Sequence, residues 1–157
     1  MNISRALLDD LLAHVLEDPA NEICGIVAVQ DGDGASTSEV SSQVDDDASP
    51  QGDSQNATAV EVYRAANKHA SPMKFEIEPA ELLALYDTIE QRAARIGAIY
   101  HSHVRSAPYP SQTDINFAAN WPGVEWIIVG LAGGGEPDVR SYLIENGVVR
   151  EVPLQVA

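Results

Sequence analysis

Leu7, Leu8, Leu11, Leu12, Val15 and Leu16 recur at the three-and-four spacing that lines one side of a helix. Ser4 to Leu16 therefore predicts an amphipathic helix, closed off by Pro19. The period then changes. Ile23 to Val29 is an unbroken apolar run, the pattern of a strand covered on both faces, and Ala57 to Tyr63 reads as a second strand. Pro79 suits the first turn of another helix, with Leu82, Leu85, Tyr86, Ile89 and Ala93 as its inner stripe. Ile96 to Tyr100 is a further buried strand, and Gln112 to Asn120 is a third helix stopped by Trp121-Pro122. Glu125 to Leu131 and Val139 to Ile144 read as strands about a Gly133-Gly134-Gly135 turn, which lacks the strand-to-helix context of a phosphate loop. Asn146-Gly147 is a hairpin signal leading to Val148 to Val152. The expected class is α/β, a mixed, curved sheet flanked by helices. His14 is expected on the surface of the first helix, and Phe117, Trp121 and Trp126 in packing roles.

At 157 residues and 45% hydrophobic, the chain is expected to form a single domain over 1–157 with a substantial core. No apolar run approaches the roughly 18 residues that span a bilayer, and the N-terminus lacks a signal-peptide pattern. No membrane association and a cytoplasmic location are expected. Net charge is −15, from 24 acidic residues against nine Lys plus Arg, and such a surface repels phosphate backbones, so no nucleic-acid partner is expected. The acidity is uneven, with no Lys or Arg between Arg5 and Arg64. Asp31 to Asn56, rich in Gly, Ser, Asp and Gln and carrying Asp45-Asp46-Asp47, predicts a flexible acidic loop, either a solvated tether or a docking element for a basic partner. A single cysteine rules out an internal disulfide framework and the Pro-Cys-x-x-Cys element of nucleobase deaminases. Cys24 is expected to be a small buried hydrophobe rather than a thiol nucleophile.

Chemistry concentrates behind the strand that starts at Ile96. Residues two apart on a strand share a face, so His101 and His103 point together, their Cα atoms roughly 7 Å apart, while Ser102 points away. The loop Val104 to Pro110, stiffened by Pro108 and Pro110, is long enough to turn back and bring Asp114 to the two imidazoles. Two histidines and one carboxylate would give zinc three protein ligands and leave a fourth position for water, the pattern of a catalytic site. Two plainer readings compete: His-x-His as a partly exposed pair, and Ser111-Gln112-Thr113-Asp114 as a helix capping box. A capping box would fix the position of Asp114 whether or not that carboxylate is a ligand.

A hydrolytic zinc site also needs an acid that is not a ligand. Glu22, between the first helix and the apolar strand, is the best-placed carboxylate; its plainer reading is an exposed acid at the start of a strand. Arg105 and Tyr109, on the loop between His103 and Ser111, are candidates to touch a substrate.

Glu22 in Asn-Glu-Ile-Cys-Gly-Ile, then His101-Ser102-His103, seven residues, Ser111, two residues and Asp114, closely resembles the JAMM (MPN+) metalloprotease motif, in identity and in spacing. The order of helices and strands agrees over nearly the whole chain. The resemblance implies a JAMM/MPN fold, one Zn2+ per chain held by His101, His103 and Asp114, Glu22 as proton shuttle, and Ser111 as donor to the developing oxyanion. Within the family, the compact form and the Asn67 to Pro79 segment look most like the bacterial Mec-type members, the CysO-cysteine peptidases. That likeness implies hydrolysis at the C-terminal tail of a ubiquitin-like sulfur-carrier protein with release of cysteine, in cysteine biosynthesis. A deubiquitinase-like isopeptidase and a non-catalytic MPN scaffold are the alternatives, although scaffolds of this fold generally lose ligands and none is missing here.

Overall fold

The computed structural model describes residues 1–32 and 54–157. Strands β1 (Asn2–Ile3), β2 (Cys24–Gln30), β3 (Thr58–Ala65), β4 (Arg95–His103), β5 (Glu125–Gly130), β6 (Asp138–Glu145), β7 (Val148–Val152) and β8 (Gln155–Val156) join in one sheet, ordered β7-β6-β5-β4-β2-β3-β1-β8. The sheet is mixed. β4 runs parallel to β5, and β1 parallel to both β3 and β8, while the remaining neighbours are antiparallel. Helices α1 (Arg5–Val15), α2 (Pro79–Gln91) and α3 (Gln112–Ala118) complete the regular structure. This is the α/β arrangement that the hydrophobic pattern implies.

Both faces of the sheet are buried, which is why β2 is apolar without alternation. One face carries Val27, Val29, Ala98, Tyr100, Ile127 and Val129, and packs with Leu8, Leu11 and Val15 of α1. The other carries Ile26, Ala28, Ile96, Ile99, Trp126 and Ile128, and packs with Ile89 of α2 and Ala118 of α3. In β4 the pairing with β2 skips a residue, since Val27 lies opposite Ala98 and Ala28 opposite Ile96. Gly97 is the extra residue of this bulge, and a Cβ there would sit 2.2 Å from a Val29 methyl carbon. Beyond the bulge, alternation puts Ile99, and with it His101 and His103, on the face covered by α2 and α3.

Several local expectations need correction. His14 is buried, not on the surface, and its Nδ1 lies 2.7 Å from the Tyr100 hydroxyl, because α1 turns that side of its last turn onto β4. In α2, Ile89 is buried and Leu82 and Leu85 are partly buried, but Tyr86 and Ala93 are exposed. The helix ends at Gln91, and Ala93, at φ 53°, turns the chain towards β4. Phe117 is likewise more exposed than a packing role implies, at 36%, whereas Trp126 is buried. β1 and β8, two residues each, are too short to leave a periodic signal.

Residues 33–53 of the expected acidic loop lie outside the described residues. Its two ends do not behave as tether. Asp31 pairs with Arg95 at 2.6 Å, and Ser54 to Asn56 form a 3₁₀ turn in which Ser54 is fully buried. Among the described residues, no helix is long and apolar enough to cross a membrane.

Candidate active site

His101 and His103 leave the C-terminal end of β4 on one face of the sheet, and α3 delivers Asp114 to them. The three side chains are buried. Their facing atoms form a triangle: Nε2 to Nε2 is 3.1 Å, His101 Nε2 to Asp114 Oδ1 is 3.3 Å, and His103 Nε2 to Asp114 Oδ2 is 3.5 Å. Tetrahedral zinc, with ligand bonds of about 2.0–2.1 Å, spaces its ligand atoms about 3.3 Å apart. The donor set and its spacing therefore fit a small divalent cation, and among the described residues this is the His/Cys/Asp/Glu group close enough to hold one.

Each of the three side chains is held from behind. His103 Nδ1 donates to the Ala107 carbonyl at 2.9 Å, which fixes the tautomer and turns the Nε2 lone pair into the triangle. Ser106 Oγ lies 3.3 Å from the same nitrogen. Burial lowers the His103 pKa, but Asp114 and the Ala107 carbonyl outweigh it and hold it above its usual value. His101 has a different support: its ring stacks on Phe75, centroids 4.3 Å apart and planes at 25°, with the edge of Trp126 at 6.2 Å. Burial holds this imidazole below its ordinary pKa, which favours the neutral form that metal ligation requires. Burial alone would raise the Asp114 carboxyl; both histidines and the Ser111 N–H outweigh it and keep Asp114 well below the usual carboxylate range.

The capping box and the triangle coexist. Ser111 Oγ accepts the Asp114 N–H while Asp114 Oδ2 accepts the Ser111 N–H, and the same carboxylate faces both imidazoles. Ser102, as alternation requires, turns away, and its Oγ accepts the Ile23 N–H, bracing the start of β2 against β4.

Glu22 is buried, 6% exposed, and is not the exposed acid that its position allows. In the antiparallel β2–β4 register Cys24 lies opposite His101, so two residues earlier Glu22 comes level with His103. Burial pushes its carboxyl up from 4.5 to about 7; His103 draws it down and Asp114 pushes it further up. Cys24 is buried beside it, its thiol raised to about 12 by burial and then by Glu81 and Glu22, which leaves no thiolate to act as nucleophile. Arg105 and Tyr109 are exposed, Tyr109 resting edge-on against Tyr142 at 5.6 Å.

The profile of prokaryotic homologs of the JAB domain matches residues 4–145, a span that takes in Glu22, both histidines, Ser111 and Asp114. The chain belongs to the prokaryotic JAB family. Within this JAB family context, it is 25% identical over 150 residues to the CysO-cysteine peptidase of Mycobacterium tuberculosis, covering 96% of this chain and 86% of that protein. It is 30% identical over 125 residues to the desampylase of Haloferax volcanii, covering 76% and 73%. The fold is also that of a JAB1/MPN domain protein from Archaeoglobus fulgidus, with a TM-score of 0.56 at 16% identity over 100% of this chain and 96% of that one.

Sequence reasoning missed three contributors: Ala107, Asn67 and Phe75. A backbone carbonyl carries no sequence signal. Asn67 holds Glu22 by donating from Nδ2 to its carbonyl at 3.0 Å, and Phe75 reads in the sequence as one apolar residue between charged neighbours.

Proposed function

We propose that the chain is a zinc-dependent peptidase that hydrolyses the peptide or isopeptide bond at the C-terminal tail of a ubiquitin-like sulfur-carrier protein, releasing cysteine. The observation that carries this reading is Glu22, a buried acid level with His103 and beside a triangle of three candidate ligand atoms to which it does not belong. A scaffold needs no such acid.

His101, His103 and Asp114 would hold the metal. When bound, zinc supplies an acidified water, of pKa about 7, and Lewis-acid polarisation of a carbonyl. Glu22 as carboxylate takes a proton from the water whose oxygen bonds to the scissile carbonyl carbon. It then passes that proton to the departing nitrogen as the C–N bond breaks, so the acid returns to its starting state. Its burial beside the triangle, level with His103, suits both transfers. Ser111 Oγ accepts from the Asp114 N–H, which leaves its own O–H to donate to the carbonyl oxygen as negative charge grows there. Neutral His101 and ionised Asp114 are in the protonation states that a bound cation requires of them.

The relative named CysO-cysteine peptidase, matched across most of both chains, supports a carrier tail with a cysteine leaving group. The desampylase from Haloferax volcanii supports a second reading, isopeptide cleavage on another ubiquitin-like conjugate. The test is incubation of the zinc-loaded protein with a carrier bearing a C-terminal cysteine. Loss of one cysteine mass from the carrier, stopped by a chelator and restored by zinc, is the expected result. An intact conjugate would overturn the cysteine assignment.

A further inference from the structure

Between β3 and α2 the chain makes a closed strap. Asn67 and Ile77 form an isolated antiparallel bridge, and Lys68 N–H donates to the Glu76 carbonyl at 2.8 Å. The Asn67 side chain organises the interior with four hydrogen bonds. Its Nδ2 donates to the carbonyls of Glu22 (3.0 Å) and Lys74 (2.9 Å), and its Oδ1 accepts the N–H groups of His69 (3.1 Å) and Glu76 (3.2 Å). That uses the full capacity of the amide.

The strap grips the site at two points. Glu22 precedes the last β2–β4 pair, so the ladder does not hold it; instead its N–H donates to the Ser71 carbonyl at 2.8 Å and its carbonyl accepts from Asn67. Four residues beyond Ser71, Phe75 is 7% exposed and stacks on His101. His101 Nδ1 is buried and has no hydrogen-bond partner among the described residues. Ligand histidines ordinarily have that second nitrogen tied to a carbonyl or carboxylate, as His103 does. For His101, ring packing takes over the orienting role.

We propose that the segment 67–77 is a positioning strap that sets both halves of the site: Asn67 orients Glu22 through its backbone, and Phe75 orients His101 through ring stacking. The inference rests on the reading of Glu22 as proton shuttle and of His101 as metal ligand. Neither Asn67 nor Phe75 touches the reacting atoms, and each acts through a different partner. Their loss should therefore damage different properties.

The test measures zinc affinity by competition with a chromophoric chelator, the visible spectrum of the cobalt-substituted protein, and kcat and KM on the conjugate. Phe75→Leu should weaken zinc binding by about 10-fold or more, the usual scale for the support of a ligand histidine, and shift the cobalt bands. Phe75→Tyr, which keeps the ring, should stay within about threefold of the wild type on the same scale. Asn67→Ala should bind zinc within about threefold of the wild type yet lose about 10-fold or more in kcat, with KM little changed. Asn67→Asp keeps the two acceptor contacts to the His69 and Glu76 N–H groups and deletes both Nδ2 donors, to Glu22 and to Lys74, so it should reproduce the kcat loss with zinc retained and serves as the second variant if Asn67→Ala fails to fold. Unchanged zinc affinity in Phe75→Leu, unchanged kcat in Asn67→Asp, or parallel loss of zinc and turnover in every variant would overturn the strap. A wild-type protein that binds no zinc and cleaves no conjugate would instead overturn the functional reading beneath it.

Discussion

Ser111 and Asp114 cap one another: the Ser111 hydroxyl oxygen accepts the Asp114 N–H at 3.2 Å, and Asp114 Oδ2 accepts the Ser111 N–H at 2.7 Å. The pair starts α3 and aims the carboxylate at two imidazoles in the same stroke. Replacing Ser111 with Ala removes one half of the box, at a cost of about 1 kcal/mol of stability. Zinc should remain, because Asp114 still faces His101 and His103. Turnover should fall by roughly 100-fold or more, the scale on which loss of one oxyanion donor is felt. Metal analysis together with steady-state kinetics separates the two effects; loss of zinc from Ser111→Ala would make the residue a structural support and not a donor.

His101→Ala, His103→Ala and Asp114→Ala should each purify with little zinc, since three ligands form the triangle and no fourth His, Cys, Asp or Glu joins that group among the described residues. Asp114→Ala should also be the least stable of the three in the metal-free state, because it alone breaks the capping box. Full metal occupancy in any of them would remove that residue from the site.

Glu22→Gln should keep zinc and lose roughly 100-fold or more in turnover. It should also change stability in a defined direction. The folded protein raises this carboxyl from 4.5 to about 7, so between those pH values the unfolded chain releases a proton that the folded chain retains. Stability of the metal-free protein therefore falls as pH rises from about 4.5 to about 7, by up to about 3 kcal/mol, and is flat on either side as far as this group is concerned. The Gln variant lacks that loss and should unfold at higher temperature than the wild type at pH 8, but not at pH 4. Equal melting behaviour at both pH values would contradict a buried, neutral-leaning Glu22.

Much of this was legible in the sequence because the determinants are periodic or fixed in spacing. Two-residue alternation put His101 and His103 together, and the two-residue gap between Ser111 and Asp114 announced the cap that turns a carboxylate towards both imidazoles. The apolar continuity of β2 reported a sheet covered on both faces. What escaped depends on contacts far apart in the chain. His14 looks like a surface residue until Tyr100, 86 positions away, is placed against it. Gly97 shows as one small residue, yet its bulge sets which face the histidines occupy. Phe75 and Asn67 gain meaning from His101 and Glu22, which no local pattern connects to them.

Ser54 tests the boundary of the expected acidic loop. Its hydroxyl donates to the Gly123 carbonyl at 2.9 Å and accepts from Arg95 Nη1 at 3.2 Å, so it ties the turn before β3 to the start of β4 and to the segment before β5. Ser54→Ala should cost about 0.5–1.5 kcal/mol, the net range of a single hydrogen bond, because the Gly123 carbonyl keeps the Ser54 N–H and Arg95 keeps Asp31. A deletion of Asp31 to Asn56 should cost more, since it also removes the Asp31–Arg95 pair. Zinc content should be unaffected, because none of these contacts reaches the triangle. A Ser54→Ala protein with an unchanged melting temperature would return this turn to the status of tether.

The choice between a cysteine and a lysine side chain as leaving group lies beyond the reacting atoms. In the proposed mechanism the proton from Glu22 and the hydroxyl of Ser111 serve either amine equally, so discrimination must come from the surface on the leaving-group side. A second ubiquitin-like body needs an apolar platform there. We place the leaving group beside the loop next to His103, which carries exposed Arg105 and Tyr109, with Tyr109 braced by Tyr142, whose hydroxyl in turn donates to the Pro108 carbonyl. One braced aromatic ring and one cation suit a small leaving group with its own carboxylate better than a folded domain. Cysteine release should accordingly exceed lysine-isopeptide cleavage by at least about tenfold in kcat/KM, a difference of about 1.4 kcal/mol in transition-state binding. Arg105→Ala should narrow that gap by raising KM for the cysteine conjugate while leaving lysine cleavage unchanged, because a free cysteine carboxylate is present in one substrate and absent from the other. Equal kcat/KM for the two conjugates in the wild type would favour the desampylase-like reading and leave the proposed zinc chemistry intact.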